Sequence, residues 1–148
     1  MRQLFVDTSA YFALTDRRDE NHEAAVRIIH QLVRERIELL TTNYIVAETH
    51  TLLLNRIGYK TALQVIEELY KSQTRIYRVR EAEERKALEI IRKYTDKEFS
   101  LVDAMSFATN GKTPYDTGIC FRSPFCSVWI FALAVTVLGR SKGSLKAA

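Results

Sequence analysis

Three acidic residues stand where acid is chemically costly. Asp7 closes the apolar run Leu4-Phe5-Val6, Glu48 interrupts Ile45-Val46-Ala47, and Asp103 lies between Leu101-Val102 and Ala104-Met105. A carboxylate on an apolar face loses hydration and requires compensation from a partner or a cation. No lysine or arginine adjoins any of the three in sequence. A divalent metal is the economical compensation, because hard cations such as magnesium take oxygen ligands. Carboxylates gathered without a metal would repel and raise one another's pKa. Around magnesium they become a phosphodiesterase site, since the ion orients a water, lowers its pKa and stabilises charge on phosphate oxygens.

Each acid, taken singly, also has a structural explanation. Asp7 precedes a helical stretch and suits an N-cap, although Thr8 and Ser9 would serve equally well. Glu48 near a helix start is favoured by the macrodipole. It nevertheless shares a stripe with Ile45 and Leu52, the face a surface salt-bridging glutamate avoids. Ser100-x-x-Asp103 has the form of a capping box. The three together carry more information than any one, because they fall on three different elements of a single pattern.

That pattern alternates strands with helices. Leu4-Phe5-Val6 reads as a short buried strand ending at Asp7, and residues 10–14 as a helical turn. Residues 19–36 form a helix with Ala24, Ala25, Ile28, Ile29, Leu32 and Val33 on one face. Residues 37–41 are a second strand, and residues 44–56 a helix stopped by Gly58. Residues 60–72 form a helix striped by Leu63, Ile66 and Leu69, and residues 75–79 alternate like a strand. Residues 81–94 run along Ala87, Leu88, Ile90 and Ile91, and a last helix spans residues 100–108. Strands separated by helices imply an α/β fold with a parallel sheet, whose sites gather at the carboxyl ends of the strands. Asp7 occupies such an end.

A chain of 148 residues, 27% charged and 47% hydrophobic, suffices for one domain with a real core. The formal charge of +4 is misleading as a nucleic-acid signal. Residues 1–108 hold 17 basic and 17 acidic residues, so the excess sits entirely in residues 109–148. His22, His30 and His50 lie far from Cys120 and Cys126, which excludes a Cys/His zinc spacing. Two cysteines do not make a disulfide framework, and a cytoplasmic location is expected. The N-terminal apolar run is too short for a signal peptide.

Three segments resemble the PIN domain, and among its members the VapC-like toxin ribonucleases. They are Phe5-Val6-Asp7-Thr8-Ser9-Ala10, Asn43-Tyr44-Ile45-Val46-Ala47-Glu48-Thr49, and the stretch from Tyr94 to Ala108 that contains Ser100-Leu101-Val102-Asp103-Ala104. The resemblance covers residues 1 to about 108 in the right order. It implies a PIN-like three-layer α/β/α fold and a metal-dependent endoribonuclease, the toxin half of a toxin–antitoxin pair. It further implies that Asp7, Glu48 and Asp103 hold Mg2+ or Mn2+, which activates a water for in-line attack on RNA. Asp96 matches an accessory acid, Thr8 and Ser9 a polar pair ordering water or phosphate, and Asn43 an orienting residue. An RNA substrate, a cognate antitoxin and a homodimer are the implied partners.

The pattern stops near Ala108. Before it the chain has no Cys, Pro or Trp and only Gly58; beyond it lie both Cys, both Pro, Trp129 and the other four Gly. The family's fourth acid is not readable there, Asp116 being the only acid left. Back-translation of residues 121–133, read one base later, permits Phe-Asp-His-His-Phe-Ala-Gln-Phe-Gly-Phe, close to the family's ending. Trp129 followed by Ile130 forces the glycine of that frame. The chain is therefore read as an incomplete PIN-like domain over residues 1–108 and a frame-shifted tail over residues 109–148. A gene sequence with other wobble bases across that stretch refutes the second part. A shifted frame would remove the last strands, leave a sheet edge open and promote aggregation through apolar sequence. Two rival readings remain. One is a non-catalytic remnant binding antitoxin or RNA. The other is a membrane tether through the uncharged run from Phe125 to Gly139, whose fifteen residues fall short of a span.

Overall fold

The computed structural model describes residues 3–96 and 99–110. The expectations placed on residues 111–148, including the fourth acid, the apolar run and the shifted frame, lie outside the described residues. Three strands and six helices alternate among those residues. They are β1 (Gln3–Phe5), α1 (Thr8–Thr15), α2 (His22–Arg34), β2 (Glu38–Thr42), α3 (Asn43–Arg56), α4 (Tyr59–Lys71), β3 (Arg75–Tyr77), α5 (Glu81–Lys93) and α6 (Leu101–Asn110). The strands form one parallel sheet in the order β1-β2-β3. The α/β class with a parallel sheet is thus as the patterning implied. Two helices join each pair of strands, as a parallel connection requires. Because the ladder is parallel, the carboxyl ends of all strands share one edge of the sheet. Asp7 follows β1 there, Asn43 follows β2 and Arg78 follows β3.

Apolar residues that flank the acids belong to a common core. Val6, Tyr11, Ile45, Val46 and Leu69 are buried together, with Phe5, Leu39, Ile76 and Val102 packed against them. Val6 precedes Asp7, Val46 lies two residues before Glu48, and Val102 precedes Asp103. Burying these side chains removes apolar area from water and draws the segments that carry the three acids into one core. A second cluster joins Ala87 and Ile90 of α5 to Ala104, Met105, Phe107 and Ala108 of α6. There Phe99 meets Phe107 edge to face at 5.5 Å between ring centroids, a favoured aromatic geometry.

Boundaries and faces differ from expectation in places. The helical turn expected at residues 10–14 is a full helix from Thr8 to Thr15, because Asp7 caps it and so starts it earlier. Val33, Leu63 and Leu88, assigned to inward stripes, are 67%, 40% and 44% exposed. Each adjoins a truly buried residue (Leu32, Ala62, Ala87). A helix here buries a seam narrower than its apolar stripe. α4 consequently turns Tyr59, Leu63 and Tyr70 outward. Gly58, where α3 gives way to α4, has φ +127°, a conformation that glycine adopts without strain.

The α3–α4 pair supplies a stability contrast. Leu53 is fully buried, whereas Leu63 is 40% exposed. Leu53→Ala is expected to cost about 2–5 kcal/mol through lost burial and a residual cavity. Leu63→Ala is expected to cost less than about 0.5 kcal/mol. Urea unfolding of the two variants checks this.

Candidate metal centre

The end of β1 is pinned before Asp7 begins. Val6 donates its N–H to the Leu40 carbonyl at 2.8 Å, one step beyond the β1–β2 ladder. Thr41, fully buried, donates its hydroxyl to the Val6 carbonyl at 2.9 Å. Asp7 then turns into α1 as its N-cap in extended conformation. Its Oδ1 accepts from the Ala10 N–H at 3.1 Å and from the Ser9 hydroxyl at 2.8 Å.

Glu48 projects from α3, whose start is capped by the buried Thr42 accepting from the Ile45 N–H at 3.2 Å. α1 packs on α3, and the Thr8 hydroxyl donates to Glu48 Oε2 at 2.6 Å. Asp103 opens α6 and is buried, at 7% exposure. Its Oδ2 accepts from the Ser100 N–H at 2.6 Å and hydroxyl at 2.8 Å, while Ser100 Oγ accepts from the Asp103 N–H at 3.2 Å. Both structural roles foreseen for these aspartates, helix cap and capping box, are therefore realised.

They do not account for the electrostatics. The Asp7 carboxyl is pushed above the ordinary aspartate range. Burial is the largest cause, opposed by the hydrogen bonds from Ser9 and Ala10, and the charges of Asp103 and Glu48 raise it further. The charges of Glu48 on α3 and Asp103 on α6 thus bear on Asp7, the N-cap of α1, through space. Hard carboxylate oxygens, buried at Asp103 and half-buried at Asp7 and Glu48, fit a divalent cation in kind. No group of three or more His, Cys, Asp or Glu side chains among the described residues stands as a ready-made metal shell. Magnesium does not demand one, since it keeps several waters and takes one or two carboxylates besides substrate phosphate.

The other candidate residues divide. Ser9 and Thr8 both spend a hydroxyl hydrogen bond on the acids, Ser9 on Asp7 and Thr8 on Glu48. Asn43 accepts from the Val79 N–H at 2.8 Å, which ties the start of α3 to the chain leaving β3. Asp96 lies exposed in the turn after α5. Ser100 clamps Asp103, as the capping box read in the sequence implied, whereas one neighbour of the site went unremarked. Tyr11, four residues after Asp7 on the same helix face, has its hydroxyl pushed up to about 12, chiefly by burial and partly by the Asp7 charge.

Comparison with known proteins bears on the fold and the family. The PIN domain model matches residues 4–110. The 23S rRNA-specific endonuclease VapC20 of Mycobacterium tuberculosis is 30% identical over 122 residues, which cover 82% of this chain and 91% of that protein. Ribonuclease VapC26 of the same organism is 30% identical over 101 residues, 68% of this chain and 73% of that one. The crystal structure of M. tuberculosis VapC20, described as a sarcin–ricin loop cleaving toxin, superposes with a TM-score of 0.64 at 31% identity. That match covers 73% of this chain and 83% of the VapC20 chain. With its parallel α/β frame and the match of the family model over residues 4–110, the chain belongs to the PIN-domain family, among the VapC-like toxin ribonucleases.

Proposed function

We propose that this protein is a divalent-metal-dependent endoribonuclease, the toxin component of a toxin–antitoxin pair, and that Asp7, Glu48 and Asp103 hold the metal. The observation that carries the metal assignment is the Asp7 carboxyl, raised by burial and by the charges of Asp103 and Glu48. Bound there, Mg2+ or Mn2+ would lower the pKa of a coordinated water and stabilise charge on the scissile phosphate. The chain's own part is to hold deprotonated oxygens in place. Asp7 is set by the α1 cap, Asp103 by the Ser100 box and Glu48 by Thr8. Asp96 and Asn43 enter this proposal as an accessory acid and an orienting residue respectively, Asn43 through its bond to Val79.

RNA is the proposed substrate. The specificity named for VapC20 makes ribosomal RNA the first to assay. A cognate antitoxin, a homodimer and a cytoplasmic location complete the proposal. No helix among the described residues is long and apolar enough to cross a membrane. The test is cleavage of RNA by the full chain with Mg2+ or Mn2+ against EDTA. Metal-dependent cutting supports the nuclease. RNA or antitoxin binding without cutting under any metal would instead identify a non-catalytic remnant. Release of the protein by a carbonate wash would exclude a tether through residues 125–139. The two-part organisation, a domain over residues 1–108 and a frame-shifted tail over 109–148, is likewise proposed, and the gene sequence decides it.

A further inference from the structure

The three acids share a feature that the family resemblance did not imply: each accepts a hydroxyl hydrogen bond. Ser9 donates to Asp7 Oδ1 at 2.8 Å, Thr8 to Glu48 Oε2 at 2.6 Å and Ser100 to Asp103 Oδ2 at 2.8 Å. Two of these bonds are local, spanning two and three residues, and accompany helix caps. The third joins residues 40 apart in sequence. No cap accounts for it, because Asp7 already caps α1. Thr8 and Glu48 are both half-buried, where a charge-assisted hydrogen bond is shorter and stronger than a neutral one.

We infer that Thr8 is a positioning residue for the metal centre, its hydroxyl holding the Glu48 carboxylate beside Asp7 instead of contacting water or phosphate itself. The inference rests on the metal-binding reading above. A glutamate has three side-chain torsions, and on its own it would swing away from the like charge of Asp7. A hydroxyl has one proton to donate, and here that proton points at Oε2. The donor also sits next to Asp7 on the chain, so the segment that places one acid also steers another. Outer-shell donors of this kind orient metal ligands, and their loss typically lowers metal affinity 10–100-fold.

Thr8→Val keeps the shape and removes the donor, while Thr8→Ser keeps the donor. Mn2+ binding to the RNA-free full chain, followed by calorimetry, should weaken about 10–100-fold in Thr8→Val and stay within about threefold of wild type in Thr8→Ser. The loss should shrink when Glu48→Gln is already present, because the two residues act as one unit. KM for RNA, measured at saturating metal, should be unchanged. Thr8→Ala replaces the valine variant if the latter does not fold. Wild-type Mn2+ affinity in both donor-less variants would overturn the inference alone. A raised KM with intact metal affinity would also overturn it, by assigning the hydroxyl to substrate. A wild-type chain that binds no Mn2+ would overturn the metal reading, and this inference with it.

Discussion

Replacing Asp7 by asparagine is expected to reduce RNA cleavage by at least about 100-fold, the upper end of what losing an outer-shell partner alone costs, while leaving the metal-free fold at least as stable as wild type. The two halves of that expectation separate the structural and chemical roles of one side chain. Asparagine retains an oxygen that can accept from the Ala10 N–H and the Ser9 hydroxyl, so α1 keeps its cap. It removes the negative charge that Asp103 and Glu48 oppose. Asp7→Ala is the control: it loses the cap as well and should destabilise by about 1 kcal/mol. The pH dependence of unfolding gives a second readout. An unfolded aspartate releases its proton at about pH 3.9, whereas folded Asp7 holds its proton to higher pH. Between those two values the folded state binds more protons than the unfolded one. Metal-free wild type therefore loses stability as pH rises through that window. Asp7→Asn should lack that component of the slope. Parallel urea titrations of both proteins from acid to neutral pH measure it.

The second large effect is stabilisation by the cation. Mn2+ or Mg2+ at about 100 times its dissociation constant should add about 2.7 kcal/mol to the folded state. For a domain of this size that corresponds to a rise in Tm on the order of 10 °C. Calcium-free buffer and EDTA provide the baseline. The shift should fade as pH drops through the raised Asp7 value, because metal ligation requires the deprotonated carboxylate. It should be largely lost in Asp7→Asn. A Tm indifferent to both cations at neutral pH would remove the metal from the proposal. An equal shift in wild type and Asp7→Asn would locate the cation elsewhere.

Much of the fold was legible in the chain because its cues are local. The caps at Asp7 and at Ser100-x-x-Asp103, the helix stop at Gly58 and the helical spacing of apolar residues each report on their own few neighbours. The acids were conspicuous for a related reason. Val6, Val46 and Val102 make the carboxylates beside them look misplaced, and the same side chains pack into one core. Burial made the acids visible and also drew the segments that carry them into one core.

Other features depend on partners that no local pattern names. Val33, Leu63 and Leu88 satisfy the helical period yet face outward, because the neighbouring element buries only Leu32, Ala62 and Ala87 beside them. Asn43 bonds Val79 across 36 residues. By itself, then, the sequence determined the alternation of strands and helices, the caps, and the three carboxylates set among apolar neighbours, since each follows from short-range stereochemistry and burial. Only the tertiary structure decided that Thr8 reaches Glu48 and that the charges of Glu48 and Asp103 bear on Asp7. Those relations arise because α1 packs on α3 and Val102 of α6 joins their shared core, where distance along the chain ceases to measure distance in space.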